Sequence, residues 1–168
     1  MDYKNISLIG FMASGKTTVG RILAEKKKML FIDTDRVIEL KKGEAVSEIF
    51  KKFGEDAFRE LEKEVISKLY GNCDCVFACG GGIVEREENI KTVRENSLVI
   101  YLKVSPGQAV ERIKDKNQRP LLDVEDPGLK AEKLLRRREP LYKAMSDMVI
   151  ETDFLGPEEA AEKILEMI

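Results

Sequence analysis

Residues 6–17 read Ile6-Ser7-Leu8-Ile9-Gly10-Phe11-Met12-Ala13-Ser14-Gly15-Lys16-Thr17, followed by Thr18-Val19-Gly20-Arg21-Ile22-Leu23. The first four form a short run of strand length. Gly10 to Thr17 fits G-x-x-x-x-G-K-[ST], and Val19, Ile22 and Leu23 then share one helical face. A strand, a glycine-bearing turn and a helix in that order present backbone N–H groups and the positive end of a helix dipole, a cradle for phosphate oxygens. In such a loop Gly10, Ala13, Ser14, Gly15, Lys16, Thr17 and Thr18 hold a nucleotide. Lys16 reaches the β- and γ-phosphates, and the Thr17 hydroxyl sits on Mg²⁺.

Outward from this loop, short runs rich in Val, Ile, Leu and Phe recur at 30–32, 76–79, 98–102 and 148–150. They read as strands of a parallel sheet buried on both faces. Amphipathic stretches lie between them. Phe58, Leu61, Val65 and Leu69 share a helical face, as do Ala161, Ile164, Leu165 and Ile168 near the end. Pro157 followed by Glu158 and Glu159 marks a helix start. Strand–helix alternation predicts an α/β fold with helices on both faces of the sheet. Two stretches break the alternation. Residues 34–74, punctuated by Gly43 and Gly54, are too many for one crossover helix and read as an inserted substrate-binding lobe of several helices. Residues 114–126 are polar, with Pro120 inside and Pro127 just beyond, and read as a lid. The organisation expected is one domain over 1–168, with a core of 1–33 and 75–168.

Composition narrows the chemistry. A chain of 168 residues suits one domain, and 43% apolar with 36% charged residues excludes disorder. A net charge of −2 gives no general attraction to nucleic acid or acidic membranes. No apolar run reaches 18 residues and no signal stretch opens the chain, so a cytoplasmic location is expected. The absence of histidine excludes a histidine base, ligand or triad. Cys73, Cys75 and Cys79 lack the spacing of a metal site and make a poor disulfide framework, so they read as structural.

Further residues are placed for chemistry. Asp33-Thr34-Asp35 ends the second strand; residues i and i+2 of an extended segment point the same way, so both carboxylates are expected to face the cleft. One carboxylate can orient water on Mg²⁺, and the other can bind a substrate hydroxyl. Arg59 and Glu62 are three apart on a helix, a spacing that ordinarily gives a surface ion pair; the functional alternative has Glu62 aiming Arg59 at a substrate carboxylate. Gly80-Gly81-Gly82 follows the third strand and lets backbone approach a ligand. Arg119 lies in the lid stretch. Arg136-Arg137-Arg138 opens a run that Pro140 is expected to kink or restart.

Gly10-Phe11-Met12-x-x-Gly15-Lys16-Thr17, Asp33-x-Asp35, Phe58-Arg59-x-x-Glu62, Gly80-Gly81-Gly82, Arg119-Pro120-Leu121-Leu122 and Arg138-x-Pro140-Leu141-Tyr142 occur in one order. This ordered set resembles the shikimate kinase family over nearly the whole chain. The resemblance implies a P-loop NTPase fold of nucleoside-monophosphate-kinase type with a five-stranded parallel sheet. It implies phosphorylation of the 3-hydroxyl of shikimate by ATP with Mg²⁺, toward chorismate and the aromatic amino acids. Asp35, Arg59, Gly80, Gly81, Gly82 and Arg138 would bind shikimate, and Asp33 with Thr17 would serve the metal. Arg112 would pack on adenine, and Arg119 would cover the phosphates. Lys16, Asp35 and Arg119 would carry the catalysis, Asp35 as proton acceptor. ATP and shikimate are the expected partners of a monomer, without nucleic acid or membrane. One departure is Ala13, where the family usually has glycine; an alanine held at positive φ would be strained. The alternatives are a related gluconate or nucleoside-monophosphate kinase and a nucleotide-binding module without turnover.

Overall fold

The computed structural model describes residues 5–71, 74–114 and 127–168. The expected lid at 114–126, with Arg119 and Pro120, therefore lies almost wholly outside the described residues, as does Cys73. Five parallel strands form one sheet in the order β2-β3-β1-β4-β5. They are β1 (Asn5–Ile9), β2 (Leu30–Asp33), β3 (Cys75–Ala78), β4 (Leu98–Lys103) and β5 (Met148–Glu151). Ile6 lies opposite Val76 on one side and Leu98 on the other, so β1 is the centre of the sheet.

Among the described residues seven helices surround the sheet: α1 (Lys16–Lys27), α2 (Thr34–Lys42), α3 (Val46–Leu69), α4 (Glu87–Asn96), α5 (Pro106–Lys114), α6 (Pro127–Met145) and α7 (Pro157–Leu165). Alternation along each strand sends side chains to two apolar cores. Ile6, Leu8, Val76, Ile100 and Ile150 pack with Val19 and Leu23 of α1 and Ala161 and Ile164 of α7. Ile9, Phe77, Val99 and Tyr101 pack on the opposite face with Ile66 of α3, Val93 of α4 and Leu135 and Tyr142 of α6. A smaller cluster of Ile38, Ile49, Phe58 and Val65 joins α2 to α3. Each such fully buried aliphatic side chain contributes about 1.5–3 kcal/mol relative to exposure.

Local chemistry sets the breaks between elements. α2 ends at Gly43 with φ 71°, and α3 is interrupted at Gly54 with φ 80° and ψ 174°, both left-handed-side values that glycine adopts without a Cβ penalty. Pro157 opens α7, and the Gly156 N–H donates to the Glu159 carboxylate at 2.7 Å.

Three expectations need correction. β2 and β5 are edge strands and are not buried on both faces: Leu30 is 67% exposed and Val149 is also exposed. α6 runs continuously through Pro140, so the helix is not restarted there. Ile168 lies beyond the end of α7 and is exposed, while Ala161 and Ile164 carry the buried face.

Candidate active site

The loops that leave β1, β2, β3 and β5 at their carboxyl ends line a cleft of about 630 Å³. This is where open α/β sheets place ligands. Ala13, Ser14, Gly15, Lys16, Thr17 and Thr18 form one wall, and Asp33, Asp35, Cys79, Gly81 and Arg112 also line it.

Gly10 and Gly15 take φ 143° and 97°, and a Cβ at Gly10 would collide with the Leu102 carbonyl oxygen. The loop thus needs glycine at Gly10 for both angle and space. Ala13 takes φ 59°, the strained geometry anticipated from its sequence position. The Lys16 ammonium folds over the loop and donates to the Gly10 and Phe11 carbonyls at 3.0 and 2.8 Å. Arg112 ties the loop to the far side of the cleft. It donates to the Ala13 carbonyl at 3.3 Å and to the Thr152 carbonyl at 2.5 Å.

Asp33 and Asp35 both reach the cleft, but not as an extended pair. The chain turns helical at Thr34, so Asp33 is the N-cap of α2 and accepts from the Arg36 N–H at 3.3 Å. Its other oxygen accepts from the Thr17 hydroxyl at 2.8 Å. Asp35 sits in the first helical turn, where the helix dipole favours negative charge. Thr34 points inward and its hydroxyl accepts from the Gly80 N–H at 2.9 Å, fastening β2 to the glycine run.

Arg59 and Glu62 are not a surface pair: they are 4% and 0% exposed. Arg59 donates to Glu62 and Glu55 at 3.0 Å each. The same i, i+3 spacing serves a buried pair because α3 lays this face against the glycine run. Burial pushes the Glu62 carboxyl up to about 7 against the pull of Arg59, and the Asp35 charge adds to the rise.

Two of the three glycines, Gly80 and Gly82, make room for side chains of the protein itself. A Cβ at Gly80 would lie 2.5 Å from Asp35 Oδ1, and one at Gly82 would overlap the Arg59 guanidinium. Gly81 lines the cleft, and its carbonyl accepts from the Tyr142 hydroxyl.

Arg138, 2% exposed, lies on α6 and donates from Nε to Glu85 at 2.6 Å; Arg137 bonds the same carboxylate oxygen. Burial alone would raise the Glu85 carboxyl, but the two arginines hold it below its ordinary range. Arg59, Glu62 and Arg138 lie outside the lining of the cleft proper; Arg59 and Glu62 stand beside it at the glycine run, and Arg138 is held at Glu85. Glu85, Tyr142 and Thr34 join the site without a sequence signal for their roles: Thr34 and Tyr142 sit inside motifs whose other residues carry the chemistry, and no spacing rule couples Glu85 to an arginine fifty-three positions away. Cys75 and Cys79 are buried thiols, and burial pushes the Cys79 thiol up to about 12, which keeps it unreactive. No cluster of three metal-ligating side chains occurs among the described residues.

Residues 12–168 match the family model for shikimate kinase. A shikimate kinase of Thermodesulfovibrio yellowstonii is 46% identical over 162 residues, 96% of this chain and 93% of that protein. The solved structure of shikimate kinase from Acinetobacter baumannii in complex with shikimate gives a TM-score of 0.95 at 38% identity, covering 99% of this chain and 93% of that one. A gluconokinase from Sinorhizobium meliloti, covering 96% of this chain and 89% of its own, gives 0.63 at 16% identity, a shared fold alone. The chain belongs to the shikimate kinase family.

Proposed function

We propose that this member of the shikimate kinase family transfers the γ-phosphoryl group of ATP to the 3-hydroxyl of shikimate. The observation that carries the reading is the convergence of a phosphate loop, Asp35 and the Arg59-covered glycine run at the carboxyl ends of β1, β2 and β3. In the transfer a bond forms from the 3-hydroxyl oxygen to the γ-phosphorus, and the bond to the bridging oxygen of ADP breaks. Asp35 is assigned to hold ring hydroxyls and to take the proton of the attacking one, since the chain has no histidine. Lys16 is assigned to the β- and γ-phosphate oxygens. Arg59 and Arg138 are assigned to the acceptor carboxylate, with Gly80 to Gly82 as its backbone floor. Arg112, at the cleft wall, is assigned to the adenine side.

Mg²⁺ fits the hard oxygen donors at the Thr17 hydroxyl and the Asp33 carboxylate, 2.8 Å apart at the cleft. Bound there with nucleotide, it would neutralise phosphate charge. Thr17 and Asp33 are the residues that would hold it, Asp33 through water. Arg119 is assigned to the phosphates and residues 114–126 to a lid; both fall outside the described residues. Residues 34–74 are assigned to the acceptor lobe of a single kinase domain over 1–168. We also assign the enzyme a monomeric state in the cytoplasm, with ATP and shikimate as its partners. No described helix is long and apolar enough to cross a membrane.

A coupled assay of ADP release with ATP, Mg²⁺ and shikimate tests the reaction, with gluconate and nucleoside monophosphates as rival acceptors. Turnover with shikimate and not with the others is expected. Turnover with a rival alone, or with none, would overturn the reading.

A further inference from the structure

We infer that Glu85 is a positioning residue for acceptor recognition, holding buried Arg138 by its Nε edge so that the terminal amino groups meet the acceptor carboxylate. This rests on the assignment of Arg138 to that carboxylate.

The geometry is that of a clamp between α6 and the end of β3. Glu85 closes the 3₁₀ turn Ile83–Glu85 that begins directly after Gly82. One of its oxygens takes Arg138 Nε at 2.6 Å and also bonds Arg137. Four residues along the same face of α6, Tyr142 donates to the Gly81 carbonyl. Gly82, next to Gly81, lies beneath the Arg59 guanidinium. One short turn therefore bonds one of the arginines assigned to the acceptor and leaves space for the other, which Glu62 and Glu55 hold.

A guanidinium offers a carboxylate two bidentate edges, one through Nε and one through the two terminal nitrogens. Glu85 on Nε leaves the terminal edge, which also faces the Tyr142 hydroxyl, as the one a second carboxylate can take. Sharing one oxygen between two arginines also leaves the trio one positive charge in excess, which suits an acceptor carrying a single carboxylate. Arg137 is well exposed, and its bond to Glu85 is the weaker member by the usual standard of surface pairs. The buried bond to Arg138 is the one that positions.

The test compares Glu85→Ala and Glu85→Gln with the parent enzyme, using shikimate and its primary amide as acceptors. Glu85→Ala should raise KM for shikimate about tenfold while kcat and the KM for ATP stay within about twofold. Glu85→Gln keeps an oxygen that accepts from Nε and should restore most of the affinity. With the amide, parent and Glu85→Ala should have the same kcat/KM. Should Glu85→Ala not fold, Glu85→Asp, which withdraws the oxygen by one carbon, should show the raised shikimate KM. An unchanged shikimate KM in the folded variant, equal losses for ATP and shikimate, or an equal loss with the amide would overturn the inference. A normal shikimate KM in Arg138→Ala would remove the assignment of Arg138 and this inference with it. A raised KM in Arg138→Ala beside a normal one in Glu85→Ala would remove this inference alone.

Discussion

A Cβ placed on Gly82 falls inside the guanidinium of Arg59, overlapping its Cζ and both terminal nitrogens. Gly82 itself has φ −98°, so its backbone is open to any residue and the requirement is one of space. Gly82→Ala should displace Arg59 from its place over the turn. We expect the KM for shikimate to rise about tenfold, with the KM for ATP little changed. Steady-state kinetics with each substrate varied separately decides it, and equal changes in both would count against the role given to Arg59.

Ala13 holds φ 59° in the phosphate loop. The left-handed region costs a residue with a Cβ about 1–2 kcal/mol, of which glycine's freer unfolded chain gives back about 0.4–1 kcal/mol. Ala13→Gly should therefore stabilise the protein by up to about 1 kcal/mol and raise Tm by about 2–4 °C. A melt with Tm unchanged or lowered would show that the alanine is not strained.

Glu62 titrates near 7 in the folded protein, raised chiefly by burial, against an ordinary value of 4.5. Between those two values the folded state holds a proton that the unfolded state has released. Stability from this group is therefore fully present below about pH 4.5 and is lost as pH rises toward about 7. The stability of the parent minus that of Glu62→Gln should fall by about 3 kcal/mol from pH 4 to pH 8. Urea melts of both proteins across that range give the difference directly, and a flat or rising difference would contradict the assignment.

Lys16→Ala should lower kcat by about 10²–10³ or more, because it removes a charge from the moving phosphoryl group. Its hydrogen bonds in the free protein are to the carbonyls of its own loop, so circular dichroism and Tm should change little. Near-normal turnover in the folded variant would refute the role of Lys16.

The phosphate loop and the positions of the strands along the chain were legible because each depends on short-range chemistry; the order of the strands in the sheet, set by long-range pairing, was not. Gly10 and Gly15 are demanded by local angles and contacts, and apolar runs mark strands wherever they lie in the sheet. Depth was not legible. Leu30-Phe31-Ile32 has the composition of a central strand, yet β2 pairs on one side only. Arg59 and Glu62 have the spacing of a surface pair, and only the packing of α3 against residues some twenty positions further on buries them. Asp35 reached the cleft through a helical turn and not an extended one, since the Asp33 cap starts α2 one residue early for that argument. Glu85 meets Arg138 across a gap that no periodicity spans.

Lys16 and Arg112 both arrive at the cleft with their hydrogen bonds already made, to Gly10, Phe11, Ala13 and Thr152 carbonyls. A nucleotide that engages either one takes part in a swap of partners, and only the difference between old and new bonds adds to its affinity. The same carbonyls are waiting when the reaction is over. Each departing ADP leaves behind cations that can close back onto the loop, so emptying the cleft does not strand a buried charge. The resting bonds of the loop thus lower the net hold on product nucleotide as well as on substrate nucleotide.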